Sequence, residues 1–164
     1  MIQYQFCPSP FGILRICLED GTLVSLKPAA DPLPEEPSCP LAQTIIRQLL
    51  EYFDGSRTEF DVPLAPRGTP FQQQVWQELL RIPYGETRTY GEVAAAIGSP
   101  GAARAVGMAC NRNPIWLLIP CHRVVGKNGA LTGYAGGLDM KQRLLNLEQT
   151  HGGNDHAESI GSLY

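Results

Sequence analysis

The chain has 164 residues, enough for one domain of ordinary size or two small ones packed together. Hydrophobic residues make up 43% and charged residues 18%, which excludes a disordered chain, and no run of about 18 apolar residues is present to cross a membrane. The net charge of −3 is uneven: residues 1–64 hold 4 Lys/Arg against 9 Asp/Glu, and residues 65–150 hold 9 against 5. A polyanion on one face of the second segment is therefore open, beside ordinary surface scatter.

The N-terminus, Met1 to Gln5, shows no basic stretch followed by an apolar run, so the sequence reads as intracellular and cytoplasmic. Ile2 to Phe6, Gly12 to Leu18 and Leu23 to Leu26 are short apolar runs separated by Ser9-Pro10 and Glu19-Asp20-Gly21, the pattern of three strands with turns. Five prolines between Pro28 and Pro40 exclude a helix there. Leu41, Ile45, Ile46, Leu49, Leu50 and Phe53 recur at helical spacing, and Asp54-Gly55 ends that helix. Residues 56–68 read as a linker.

Thr69-Pro70 is a capping hydroxyl followed by proline at the first helical position, ahead of an apolar stripe of Phe71, Val75, Trp76, Leu79 and Leu80. Pro83-Tyr84-Gly85 breaks it. Two short helical segments follow, Gly91 to Ile97 and Ala102 to Asn111, joined by Gly98-Ser99-Pro100-Gly101: a helix-turn-helix pattern. The second helix carries small side chains around Arg104, whereas major-groove readers carry several long polar ones. Its smooth face suits a minor groove with Arg104 inserted, or equally a helix packing on a neighbour through its alanines. Ile115 to Ile119 reads as a buried strand stopped by Pro120. A Gly-rich stretch runs from Gly126 to Gly137, a last helix from about Leu138 to Gln149, and a flexible tail from His151.

The five cysteines, Cys7, Cys17, Cys39, Cys110 and Cys121, are odd in number and irregular in spacing, as expected of free thiols in a reducing compartment. There is no C-x-x-C pair and no His before His122, so no zinc site is expected. A single Cys is ordinarily a small buried hydrophobe. Cys121 differs in its setting: it lies at an element end, and His122 and Arg123 beside it make electropositive surroundings that favour a thiolate. On the last helix Glu148 falls three and four residues after Leu145 and Leu144, on or beside the buried side, where a carboxylate needs a partner. His122 can be that partner, giving a nucleophile, a base and an orienting acid. The alternative for Glu148 is a fraying, exposed helix end. Asn113-Pro114 is suited to bracing adjacent turns, or is a plain turn.

Ile119-Pro120-Cys121-His122-Arg123-Val124-Val125 resembles the active-site signature of the O6-alkylguanine-DNA alkyltransferases, the methylated-DNA–protein-cysteine methyltransferases. Arg81 to Gly91, Gly101 to Gly107, Asn113-Pro114 and Thr132 to Gly137 extend the similarity over roughly residues 69–149. The elements read above make an α+β protein with a small N-terminal α/β lobe (1–64), a mainly helical C-terminal lobe with a helix-turn-helix (65–150) and the tail (151–164), and the resemblance covers the first lobe only loosely. The resemblance implies binding of double-stranded DNA through the minor groove, and extrusion of the damaged guanine. It also implies irreversible, single-turnover transfer of the O6-alkyl group to Cys121 with no cofactor; zinc, which some relatives hold in the first lobe, is not carried over because that lobe has no His, and no membrane and no obligate protein partner are expected. O4-alkylthymine stays open as a second substrate.

By the same resemblance His122 is the base acting through a water, Glu148 orients it, and Asn113 braces the site. Arg104 fills the gap left by the base, Tyr90 helps rotate the nucleotide and meets guanine N3, and Lys127 joins the DNA-contacting set. Backbone groups of Cys121 and Val124 read the exocyclic amine, and N–H groups near Tyr134, Ala135 and Gly136 face O6. Trp116 and Cys110 flank the site and leave open how bulky an alkyl group it accepts. Two other classes remain: a lesion-binding protein without repair, and a thiol hydrolase using Cys121, His122 and Glu148.

Overall fold

The computed structural model describes residues 2–29, 37–131, 134 and 137–152. Contacts group the chain into two units: Met1–Arg67 together with Pro114–Trp116, and Gly68–Asn113 together with Leu117–Tyr164.

The first unit is built on an antiparallel meander of β1 (Ile2–Ser9), β2 (Gly12–Glu19) and β3 (Thr22–Pro28), in that spatial order. Asp20 (φ 51°) and Gly21 (φ 77°) form the two-residue connection between β2 and β3. Both sit in the left-handed region, as the turn that matches strand twist requires. Cys7, Leu14, Ile16, Leu23 and Leu26 point inward against α1 (Pro40–Phe53), whose Ala42, Ile45, Leu49 and Tyr52 form its buried face. The exposed edge of β3 is satisfied by two extended pieces. Leu23 exchanges backbone bonds with Pro63 and Ala65, and Leu26 with Pro114 and Trp116, each at 2.8–2.9 Å.

The second unit is mainly helical. It holds α2 (Pro70–Leu79), the short β4 (Arg88–Thr89), α3 (Tyr90–Ala96), α4 (Ala103–Asn111), β5 (Val124–Val125) and α5 (Leu138–Gly152). Reciprocal caps start α2 and α3: Thr69 Oγ1 accepts from the Gln72 amide while Gln72 Oε1 accepts from the Thr69 amide, and Thr89 with Glu92 repeats the arrangement. The T-x-x-E spacing of the second cap stands in the sequence and marks the start of α3 at Tyr90. Helices α2, α3 and α4 pack on one another around Val75, Trp76, Val93, Ala94 and Val106. The Trp76 indole N–H donates to the Ala109 carbonyl at 2.9 Å, which satisfies the one polar atom of the largest core side chain. No helix among the described residues is long and apolar enough to cross a membrane.

The expected strand over Ile115–Ile119 does not form. Only Ile115 makes a ladder contact, with Leu26, and residues 116–118 are a turn in which Leu117 is left-handed (φ 74°). All five side chains are nonetheless buried. An apolar run reports burial, and periodicity cannot separate a strand from a buried turn. The last helix also runs past its expected end at Gln149, through His151 and Gly152.

Gly68 precedes the cap of α2, and a Cβ there would lie 2.5 Å from the ring of buried Trp76 and 2.6 Å from the capping Gln72 Oε1. Gly68→Ala is therefore expected to destabilise the protein by about 1–3 kcal/mol through forced repacking. Thermal unfolding would show it as a Tm lowered by roughly 2–4 °C per kcal/mol. Gly101→Ala, where a Cβ meets nothing within 4 Å, should leave Tm unchanged.

Candidate active site

After the Leu117 turn, Pro120 leads into a single 3-10 turn over Cys121–Arg123, fixed by the Cys121 amide donating to Ile119 O at 2.8 Å and the Arg123 amide to Pro120 O at 3.0 Å. The chain then enters β5, which pairs in parallel with β4. A 3-10 turn advances about 120° per residue, so three consecutive side chains leave in three directions. Here all three are buried, and each must find its own partner.

Glu148, on the buried stripe of α5, supplies two of those partners. Arg123 grips it bidentately, Nε to Oε1 at 2.7 Å and Nη2 to Oε2 at 3.0 Å, and its Nη1 donates to the Ile82 carbonyl at 2.7 Å. His122 Nε2 lies 2.7 Å from Oε2, and the Gly85 amide donates to Oε1 at 3.4 Å. Burial alone would raise the carboxyl pKa; His122 and Arg123 outweigh it and hold Glu148 well below the usual carboxylate range. Ionised, Glu148 only accepts, so Nε2 carries the proton of a neutral His122 and Nδ1 is the free lone pair. Nδ1 is buried and has no hydrogen-bond partner among the described residues. Burial lowers the His122 pKa, and against the pull of Glu148 the charges of Arg123 and Lys141 lower it further. The imidazole is thus a neutral base at pH 7.

Cys121 is buried, with 5% of the residue exposed. Asn113 Nδ2 donates both to Ile119 O (2.8 Å) and to Cys121 Sγ (3.3 Å), so one amide fixes the turn and the thiol together. Burial pushes the thiol up to about 11, although Asn113, Lys141 and the Cys121 backbone N–H all act to lower it. This corrects the expectation of a ready thiolate. The charge of Arg123 and the N–H of His122 are turned to Glu148, so neither offers Cys121 the electropositive contact that their adjacency in sequence suggested.

Lys141 was not anticipated. It is fully buried, with Nζ 3.5 Å from the Tyr90 hydroxyl and 5.7 Å from that ring's centroid. Burial lowers its pKa, while the neighbouring thiols of Cys121 and Cys110 act to raise it. Its position was available by the arithmetic that found Glu148: 141, 144, 145 and 148 share one face of a helix. Arg123 was in view as part of the motif, but nothing in a linear sequence shows that it would bind Glu148.

Cys121, His122, Glu148 and Asn113 therefore meet in one cluster. Tyr90, half-buried at the first turn of α3, reaches it through Lys141, and Tyr134 is buried and feels the charges of Cys121 and Glu148. Val124 is buried in β5, whereas Lys127 is exposed in the following loop and Arg104 is exposed on α4. Ala135 and Gly136 lie outside the described residues, as does the tail beyond Gly152.

A buried, amide-braced cysteine beside a His–Glu–Arg array, carried by a unit with a helix-turn-helix, is the arrangement of a DNA-associated protein that keeps one thiol beside an oriented base. The model of the 6-O-methylguanine DNA methyltransferase DNA-binding domain matches residues 70–150, and that of the same enzymes' ribonuclease-like domain matches residues 2–66. The chain belongs to this family. It is 49% identical over 158 residues to a methylated-DNA–protein-cysteine methyltransferase of Mycolicibacterium paratuberculosis, covering 92% of this chain and 94% of the relative. The crystal structure of the Mycobacterium tuberculosis O6-methylguanine methyltransferase superposes with a TM-score of 0.85 at 46% identity, covering 96% of this chain and 98% of that one. The M. tuberculosis protein in complex with DNA gives 0.84 at 47% identity, covering 90% and 93%.

Removing the carboxylate strands a buried guanidinium, so Glu148→Gln is expected to cost about 3–5 kcal/mol at neutral pH in denaturant unfolding. The folded pKa of Glu148 lies below its unfolded value, so its contribution is complete above the ordinary carboxylate range and fades as pH falls through and below that range. The gap between wild type and Glu148→Gln should narrow on acidification. A gap that stays constant to the lowest pH at which both fold would contradict the ionised assignment.

Proposed function

We propose that this protein repairs O6-alkylguanine in DNA by taking the alkyl group onto Cys121 Sγ, once per molecule. The observation that carries this reading is the buried chain Asn113–Cys121 and His122–Glu148–Arg123, which supplies a held thiol and an oriented neutral base.

The step is an in-line displacement at a saturated carbon. The sulfur–carbon bond forms as the carbon–O6 bond breaks, and the bonding pair leaves on the guanine. Only a thiolate is nucleophilic enough, and the resting thiol is protonated. His122 Nδ1 takes that proton through one intervening water, and Glu148 stabilises the resulting imidazolium while Arg123 keeps Glu148 in place. Lys141 adds positive charge beside the forming thiolate. The departing guanine carries negative charge over O6, N1 and N3. The Tyr90 hydroxyl donates at N3, and backbone N–H groups near Tyr134, Ala135 and Gly136 donate at O6. Backbone groups of Cys121 and Val124 read the exocyclic amine. The balance needs no cofactor. The product thioether has no good leaving group, so the protein is consumed.

A base inside a duplex hides the O6 carbon, so the nucleotide must be extruded, at a cost of a few kcal/mol of unstacking. Helix α4 lies in the minor groove, with Arg104 stacking in the vacated gap and Lys127 near the phosphates. In the same reading the protein works in the cytoplasm and needs no obligate protein partner.

A duplex carrying one O6-methylguanine should add one methyl to the tryptic peptide containing Cys121, read by mass spectrometry, and Cys121→Ala should bind that duplex but take up nothing. Binding by the wild type without uptake would leave a lesion-recognising protein instead, and repeated release of product would point to a hydrolase. The base role predicts a pH signature. Wild-type transfer should be nearly flat from pH 7 to 9 and fall below the ordinary imidazole range, because a protonated His122 accepts nothing. His122→Ala should be slower by about 10²–10⁴-fold and should climb roughly tenfold per pH unit, following a thiol that titrates at about 11. Parallel pH profiles would remove His122 from the proton path.

A further inference from the structure

The outward face of α4 is not uniformly small. Arg104, Ala105, Met108 and Asn111 are exposed there, and Arg112 is exposed at its C-terminal cap. At about 100° per residue these five cover an arc of about 120°, with Met108 at its middle and an arginine about 6 Å along the axis on either side. Met108 is 63% exposed, more than any other large apolar side chain among the described residues. A solitary exposed apolar side chain is ordinary on a protein surface. This one is at the centre of the second helix of a helix-turn-helix, between two guanidinium groups whose charge matches a groove walled by phosphates.

We propose that Met108 is a specificity-determining residue: it seats in the minor groove over one base pair near the lesion and disfavours pairs that carry a purine 2-amino group there. This rests on the reading of α4 as the minor-groove helix. On the floor of that groove an A·T pair presents only acceptors, whereas G·C adds the guanine 2-amino donor, and the groove is only about 6 Å wide. A thioether is a weak acceptor and cannot replace the water that the amine loses. The flanking Arg104 and Arg112 reinforce the preference, because narrow A·T-rich grooves hold the more negative potential.

The test uses the Cys121→Ala protein, which cannot react, and duplexes with one O6-methylguanine in which each neighbouring pair is in turn A·T, inosine·C, G·C or 2,6-diaminopurine·T. Inosine removes the 2-amino group from a G·C-like pair, and diaminopurine adds it to an A·T-like one. At one position the two amine-bearing pairs should weaken binding about tenfold relative to the two without it, measured by fluorescence anisotropy. Adding Met108→Ala should reduce that ratio to below about twofold, and Met108→Gln, which keeps the reach and gains an acceptor for the amine, should also shrink it. Because Met108 touches the solvent, Tm should not move. An amine effect that survives Met108→Ala, or is absent at every position, overturns the proposal. If Arg104→Ala and Met108→Ala both leave DNA affinity unchanged, the minor-groove reading of α4 itself fails. If Arg104→Ala weakens binding with no amine effect, only the Met108 role falls.

Discussion

The buried carboxylate of Glu148 organises the second unit. It ties α5 to the 3-10 turn through Arg123 and His122, and to the loop that holds Gly85 through that residue's amide. A charge so enclosed is tolerable only when every lone pair is met, and here that need fixes the imidazole tautomer. With Nε2 committed to the carboxylate, Nδ1 is the only nitrogen that can accept a proton. The same contacts that hold the fold therefore leave Nδ1 as the ring nitrogen open to a proton, as the proposed transfer requires, and Asn113 does the equivalent for the sulfur by bonding the turn and the thiol with one amide.

Arg123 shows how a residue can matter to a site without approaching the reacting atoms. Its guanidinium satisfies both carboxylate oxygens and the Ile82 carbonyl and lies over the Tyr84 ring. Lysine could not reproduce that planar fork. Lys141 occupies the complementary position. Lys141 is set among thiols and the Tyr90 hydroxyl rather than gripped by a carboxylate fork, beside the groups to which the proposed transfer gives a change of charge.

Much of this arrangement could be read from the chain. The three strands, the helices and the helix-turn-helix follow from turn residues, caps and apolar spacing, because those signals are local. Glu148 was found by its register with Leu144 and Leu145, and Lys141 lay within reach of the same argument. The run from Ile115 to Ile119 looks like a strand in sequence because hydrophobicity encodes burial, and the left-handed Leu117 that turns it has no local signature as glycine or asparagine would. The state of the thiol is hidden from the sequence for a related reason. Neighbours in sequence are not neighbours in charge, and the two cationic-looking residues after Cys121 face a carboxylate donated by a helix 25 residues away.

The depth of the Cys121 sulfur has a consequence for the lifetime of the reagent. A protein that reacts once is lost to any stray electrophile or oxidant that reaches it first. Burial pushes the thiol up to about 11, so few molecules hold a thiolate at pH 7, and soft alkylators and peroxides attack thiolates. In the proposed reaction, low idle reactivity preserves the stock of unspent protein until a substrate arrives.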